Sequence, residues 1–250
     1  MKFDRRSTLL AGASLLASCS KKRPMAQTTH RPLTSLPTTT LSWLTLRDHF
    51  VATVGPSAGQ GQPMGSLLVL ADATFTAHSR FPLHPHQEME ILSIVLDGSL
   101  SHHGDQAHGA TVHARSAQLI SARDGMVHAE GNDTEGPVRM LQIWFRPTSH
   151  GGPPAYFERT IARGPKQMVA GDALMPLRCD AKVWWIDFEA GQTQTVEIAA
   201  GRKGYLLALD TTLATTPATL ALGEGLAVSE GELQVTSAKA GAALWIDVNS

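Results

Sequence analysis

From Thr40 onward the chain is a succession of short β-prone segments cut by turn signals, and this rhythm limits the fold more than any other feature. SLLVLADATF (66–75), EILSIVLDGSL (90–100), AQLISA (117–122) and VRMLQIWF (138–145) carry the β-branched and aliphatic residues of strands, without a sustained helical period. Asp97-Gly98 and Asp124-Gly125 are hairpin-type turn dipeptides, because glycine tolerates the positive φ that such turns demand. Short strands at this spacing predict an all-β sandwich or barrel in jelly-roll style. The second half repeats the texture in AKVWWIDFEAG, QTVEIAAG, GYLLALD, GLAVSEGELQV and GAALWIDV, with turns every 8–12 residues. Between the halves lies the Gly/Pro cluster SHGGPPAYFE (149–158), a natural boundary. Two barrels are expected, over residues 40–148 and 149–250. There is no literal repeat, only a shared rhythm. A chain that is 42% hydrophobic and 17% charged can fill two such cores.

The first residues read as an address, not as part of the fold. Residues 1–19 combine the paired arginines Arg5-Arg6, an apolar run from Leu9 to Ala17 and the ending Leu16-Ala17-Ser18-Cys19. The run is about half the ~20 residues that a spanning helix needs. Its ending resembles a bacterial lipobox, in which the cysteine is acylated and becomes the new N-terminus. The expectation is an exported protein held in the bacterial envelope by a lipid on Cys19 and facing the periplasm, with the arginine pair pointing to the twin-arginine route. Residues 20–39, rich in Pro, Thr and Ser, read as a flexible tether, with Lys21, Lys22 and Arg23 beside the anionic headgroups.

The formal net charge is −1, and −3 once residues 1–18 are set aside. A near-neutral body without basic clusters excludes binding driven by nucleic-acid phosphates. Two cysteines, Cys19 and Cys179, cannot make a disulfide framework.

All eleven histidines lie at or before His150, so a histidine-based site can exist only in the first barrel. In FPLHPHQEMEIL (81–92), His84 and His86 flank Pro85, and residues i and i+2 of a strand face the same way. Proline is tolerated at strand starts and edges, which places the pair near a barrel mouth. In GMVHAEGN (125–132), His128 and Glu130 repeat the spacing directly after a turn. If the two segments neighbour one another, three imidazoles and one carboxylate converge. That set suits one divalent first-row ion: iron foremost, or nickel, copper, manganese or zinc.

FPLHPHQEMEIL, VLDGSLSHHGD, ISARDGMVHAEGN and LQIWFRP, in that order, strongly resemble the pirin family of bicupins. The resemblance extends weakly to SWLTLRDHF (42–50), set against the family's Gly-Trp-Leu…His-Thr-Phe-Ser-Phe segment, and downstream through GGPPAYFER. It covers roughly residues 42–250 and implies two tandem cupins, the second without metal ligands, with His84, His86, His128 and Glu130 as the ligands in the first. It also implies a quercetin 2,3-dioxygenase-like activity, opening a flavonol or similar phenol with dioxygen. There Glu130 is the catalytic base for the substrate's 3-hydroxyl group. A non-enzymatic metal- and small-ligand-binding lipoprotein is the alternative. A monomer is expected. Phe50 is followed by VATVGPSAGQG, which departs from the family's aromatic pattern and places the substrate in question rather than the metal.

Other residues carry blander expectations. Glu90, four residues after His86, reads as support for the ligands. His102, His103, His108 and His113 read as solvated residues of a polar hairpin. His49 reads as a core or rim residue, Trp144, Trp184, Trp185 and Trp245 as core, and Cys179 as an inert thiol.

Overall fold

The computed structural model describes Met1, residues 26–216 and residues 218–250. The expected export signal with Cys19, apart from Met1, and the first part of the expected tether lie outside the described residues.

Two barrels form, each from a large and a small antiparallel sheet. In the first, the large sheet runs Ala155–Thr160, Ser116–Ser121, Glu90–Asp97, Val138–Phe145, Leu67–Phe75, Leu44–Asp48, Thr38–Thr40. Facing it are Ser79–Arg80, Met126–Asn132, Ser99–Gly104 and Thr111–His113, with His84–His86 also paired to Met126–Asn132. The second barrel has six strands, Thr28–Arg31, Gly225–Val228, Arg202–Ala208, Gly241–Asn249, Ala181–Phe188 and Gln167–Ala170, opposite Thr193–Ile198, Gly231–Ser237, Leu213–Thr215 and Thr219–Leu220.

The large sheets are buried on both faces, which explains their near-continuous apolar runs. In the Glu90–Asp97 strand, Leu92 and Ile94 join the core between the barrels, together with Leu207, Leu244 and Ile246 of the second. Ile91 and Val95 instead belong to clusters inside the first barrel. The second barrel's interior is filled by Phe188, Leu206, Leu226, Leu233 and Trp245 among others. There Gly204 is required by close approach: a Cβ on it would lie 1.8 Å from Cη2 of Trp245.

Three expectations are corrected. Gly98 and Gly125 do take positive φ, +77° and +130°, but the strands they join lie in different sheets. They turn jelly-roll corners, not hairpins. Residues 20–39 are not all tether: Thr28–Arg31 pairs with Gly225–Val228, and Thr38–Thr40 with Leu44–Asp48. Threonine favours extended backbone, and an edge strand needs no apolar alternation to be held. The first barrel also reaches past residue 149, because Ala155–Thr160 pairs along Ser116–Ser121 over six positions. The Gly/Pro cluster leads into that strand and does not end the barrel.

Candidate metal centre

The inward face of the first barrel's large sheet is layered. One cross-strand row is Leu46, Ala73, Met140 and Val95, and another is Val69, Trp144, Ile91 and Ile120. Between these apolar rows runs a polar one, in which Asp48 pairs with Ala71, Ala71 with Gln142, Gln142 with Ser93 and Ser93 with Gln118. The small sheet closes over this row and brings histidines to it.

His84 sits directly opposite His128 in the register, and His86 opposite Met126. Pro85 is exposed, as expected when its neighbours point inward. The three imidazoles form a compact group with ring centroids 4.8–4.9 Å apart, each offering a nitrogen within 4.8 Å of the others. Glu130 does not close this triad. It belongs to a second one with His128 and His102, so His128 is common to both.

The nitrogens are ready to bind a cation. Both ring nitrogens of His128, Nε2 of His86 and Nδ1 of His102 are buried without a partner among the described residues. Nδ1 of His84 lies 2.9 Å from the Pro82 carbonyl and Nε2 of His102 lies 3.1 Å from that of Asp105. A carbonyl only accepts, so each of these nitrogens carries a proton, and the ring's other nitrogen is the one left to bind. Burial, with neighbouring His128 and His84, lowers His86 to about 4; burial, with His84 and His102, lowers His128 to about 4 against the pull of Glu130. Both are neutral at pH 7. Buried, unpartnered and neutral imidazoles beside a carboxylate fit a divalent transition ion.

Glu130 is held from three sides. Oε1 accepts hydrogen bonds from Ser93 Oγ at 2.6 Å and from Gln118 Nε2, and Oε2 accepts one from Gln142 Nε2 at 2.6 Å. Burial pushes its pKa up, but His128 and the hydrogen bonds from Ser93 and Gln142 outweigh that and hold it below the ordinary range. The carboxylate is ionised at neutral pH.

Glu130 and His84 open onto a cavity of about 240 Å³, whose apolar wall includes Leu46, Phe75, Phe81, Met140 and Trp144. Trp144 meets His86 edge-on at 5.0 Å, so it belongs to the site's wall, while Trp185 and Trp245 are core. Trp184 is half-buried under the Lys166 ammonium, 4.6 Å from its ring.

Two more expectations fail here. Glu90 alternates with Ile91 and Ser93, so it faces the interface between the barrels and bonds Ser121 Oγ at 2.6 Å, away from the histidines. Its expected supporting role falls to Ser93, Gln118 and Gln142. His102 is not a solvated loop residue: it is fully buried, paired in register with Glu130, with its ring 5.4 Å from His128 and 5.5 Å from Tyr156. His108 and His113 are exposed, and His103 is half-buried against Asp133 at 2.9 Å. His49 is buried and joined through Nδ1 to the Tyr205 hydroxyl at 2.7 Å, linking the barrels. Cys179 is buried, its thiol pushed up to about 11 by that burial.

Comparison with known proteins gives one pattern. A family profile described as Pirin matches residues 30–145, and one described as Quercetinase C-terminal cupin domain matches residues 169–248. A pirin-like protein of Caulobacter vibrioides is 32% identical over 177 residues, 66% of this chain and 75% of that one. A quercetin 2,3-dioxygenase of Escherichia coli is 28% identical over 169 residues, covering 65% and 73%. Among solved structures, a bacterial pirin of Escherichia coli in complex with nickel(II) superposes with a TM-score of 0.83 at 23% identity, over 89% of this chain and 99% of that one. The two-cupin fold expected from the sequence is therefore the fold observed.

Proposed function

This chain belongs to the pirin family, and from that premise we propose that it is a metal-dependent dioxygenase opening the ring of a flavonol or similar phenol. The observation that carries the proposal is the meeting of nitrogens from His84, His86 and His128 beside a mostly apolar cavity that His84 and Glu130 line. His84, His86 and His128 would hold one divalent transition ion, iron in the first instance, with Glu130, which groups with His128, as the expected fourth ligand. When bound, the ion supplies a Lewis acid that acidifies a phenolic hydroxyl and a centre that engages dioxygen.

The chain's own side chains do the rest. The Phe75, Phe81 and Trp144 walls receive an aromatic ring and exclude water from it. Glu130 receives the hydroxyl proton. Its Oε2 carries one donor against two on Oε1, so Oε2 has the spare acceptor capacity. A carboxylate held below its ordinary pKa is a weak base, so Glu130 takes a proton only from a hydroxyl that is already acidified. Gln142, Ser93 and Gln118 keep the carboxylate aimed.

The test is turnover in air. Protein loaded separately with iron, nickel, copper or manganese is mixed with quercetin and a panel of flavonols and catechols. Loss of flavonol absorbance with release of carbon monoxide is expected for at least one pairing. No turnover with any ion leaves a protein that binds metal and a small ligand without transforming it. Envelope anchoring through Cys19 is a separate proposal, tested by fatty-acid labelling of the wild type against Cys19→Ala.

A further inference from the structure

The cavity that His84 and Glu130 line has a further wall outside the two sheets. Thr53 and Val54 form it, in the segment that follows the Leu44–Asp48 strand. That segment is tied down. The amides of His49 and Val51 carry on the strand's pairing, donating to the carbonyls of Leu70 and Leu68 at 2.8 and 3.0 Å. Ala52 then closes a loop, its amide donating to the Gln60 carbonyl and its carbonyl accepting from the Gly59 amide, both at 2.9 Å. Inside that loop the Val54 carbonyl accepts a hydrogen bond from Thr39 Oγ1 at 3.2 Å, and Val54 packs against the cluster of Leu46 and Phe75. At its foot, His49 bonds the Tyr205 hydroxyl and Phe50 meets the Tyr205 ring edge-on at 4.9 Å, so the second barrel helps to hold it.

This wall stands away from the candidate metal centre. Gln142, which bonds Glu130, lies on the Val138–Phe145 strand, whereas Thr39, which bonds Val54, lies on the edge strand of the same sheet. Three strand spacings separate those two strands, roughly 14 Å along the sheet. Of the polar residues that line the cavity, His84, Glu130 and Gln142 belong to the metal end, and Thr53 is the fourth. Size then decides what reaches it. The cavity is about 240 Å³. About 150 Å³ is enough for one benzene ring, and a drug-sized ligand takes about 300 Å³ or more. A single ring seated at the metal end therefore stops short of Thr53 and Val54, while a three-ring ligand fills the cavity to that wall.

We propose that Thr53 and Val54 are specificity-determining residues, which select phenols by how far they extend from the metal end. A multi-ring phenol packs its outermost ring against them, and a single-ring phenol does not touch them. The proposal rests on the phenol-binding reading of the cavity, though not on turnover. Thr53 is exposed and Val54 half-buried, so both can be changed without opening the core of the barrel. Because the loop is already bonded at Ala52 and Val54, the wall is in place before a ligand arrives, and a change in its side chains is read directly as a change in fit.

The experiment uses the full metal-loaded protein and reads binding, not chemistry. Affinities for quercetin, with three rings, and catechol, with one, are measured by calorimetry under nitrogen. Thr53→Trp should weaken quercetin by at least about tenfold and leave catechol within about twofold of wild type. Val54→Ala, which withdraws two methyl groups from the wall, should weaken quercetin alone by roughly fourfold to tenfold, and it serves if the tryptophan variant does not fold. Ala58→Trp changes an exposed residue of the same loop that does not line the cavity, and should match wild type for both ligands. Equal losses for the two phenols overturn the proposal, as does a loss of the same size in Ala58→Trp. If wild type binds both phenols and the Thr53 and Val54 variants keep its affinity ratio, this proposal falls alone. If wild type binds neither, the phenol reading of the cavity falls and takes the role of Thr53 and Val54 with it.

Discussion

His102 and His128 lie on neighbouring strands with their rings 5.4 Å apart inside the first barrel, and Glu130 sits opposite His102 in the register. His102 thus packs beside the three-histidine group, next to His128 and Glu130. His102→Ala should weaken metal affinity by roughly tenfold to a hundredfold without abolishing it, the usual effect of losing a residue that orients ligands. Competition titration against a chelator measures this. An affinity equal to that of wild type contradicts it, and complete loss would make His102 a ligand.

Glu130 is surrounded by donors, which makes its charge hard to replace. In Glu130→Gln one acceptor becomes an amide N–H₂ facing Ser93, Gln118 or Gln142. At least one buried donor then loses its acceptor. A loss of about 1–3 kcal/mol in the metal-free protein is expected, read from urea unfolding.

Two opposed pH slopes should appear in the metal-free protein. Burial lowers His49, His86 and His128 to about 4 from 6.5, so between those values the unfolded chain binds more protons than the folded one. Stability from these groups therefore rises with pH from 4 to 6.5 and is level above that. Asp48 runs the other way: burial raises it from 3.8 to about 7, so its contribution is full below 3.8 and is lost as pH rises to 7. Asp48→Asn removes only the second slope, so its melting temperature should gain on wild type between pH 4 and 7, by up to a few kcal/mol in stability, then hold a constant lead. A gap that stays the same across this range contradicts the burial of Asp48.

The second barrel is filled, its described histidine His30 is bonded to Glu224 at 2.9 Å, and none of its described residues belongs to the histidine groups of the candidate centre. Gly204→Ala forces a methyl into Trp245 and should cost about 1–3 kcal/mol, lowering the melting temperature while metal content per folded chain stays that of wild type. A proportional loss of metal would tie the second barrel to the site.

The meeting of His84, His86 and His128 was legible because its logic is local. His84, His86, His128 and Glu130 lie two residues apart in pairs, and a strand's period of two makes that spacing a statement about direction. His102 obeys the same period with Leu100, but in SHHGD it is adjacent to His103, and only the strand's actual phase tells which of the two points inward. Glu90 failed for the same reason, one position out of phase with Ser93. Thr28–Arg31 escaped notice because its partner strand lies about 200 residues away and its own pattern is too short to show a face. Asp48 became conspicuous only when Ala71, Gln142 and Ser93 were seen in one row, a relation among four separate strands.

The most direct test is elemental analysis of wild type and His84→Ala/His128→Ala, each purified from cells and again after loading with iron or nickel. Wild type should hold about one ion per chain and the folded double variant essentially none. Equal metal in the two, or none in wild type after loading, would show that these histidines do not form a metal centre.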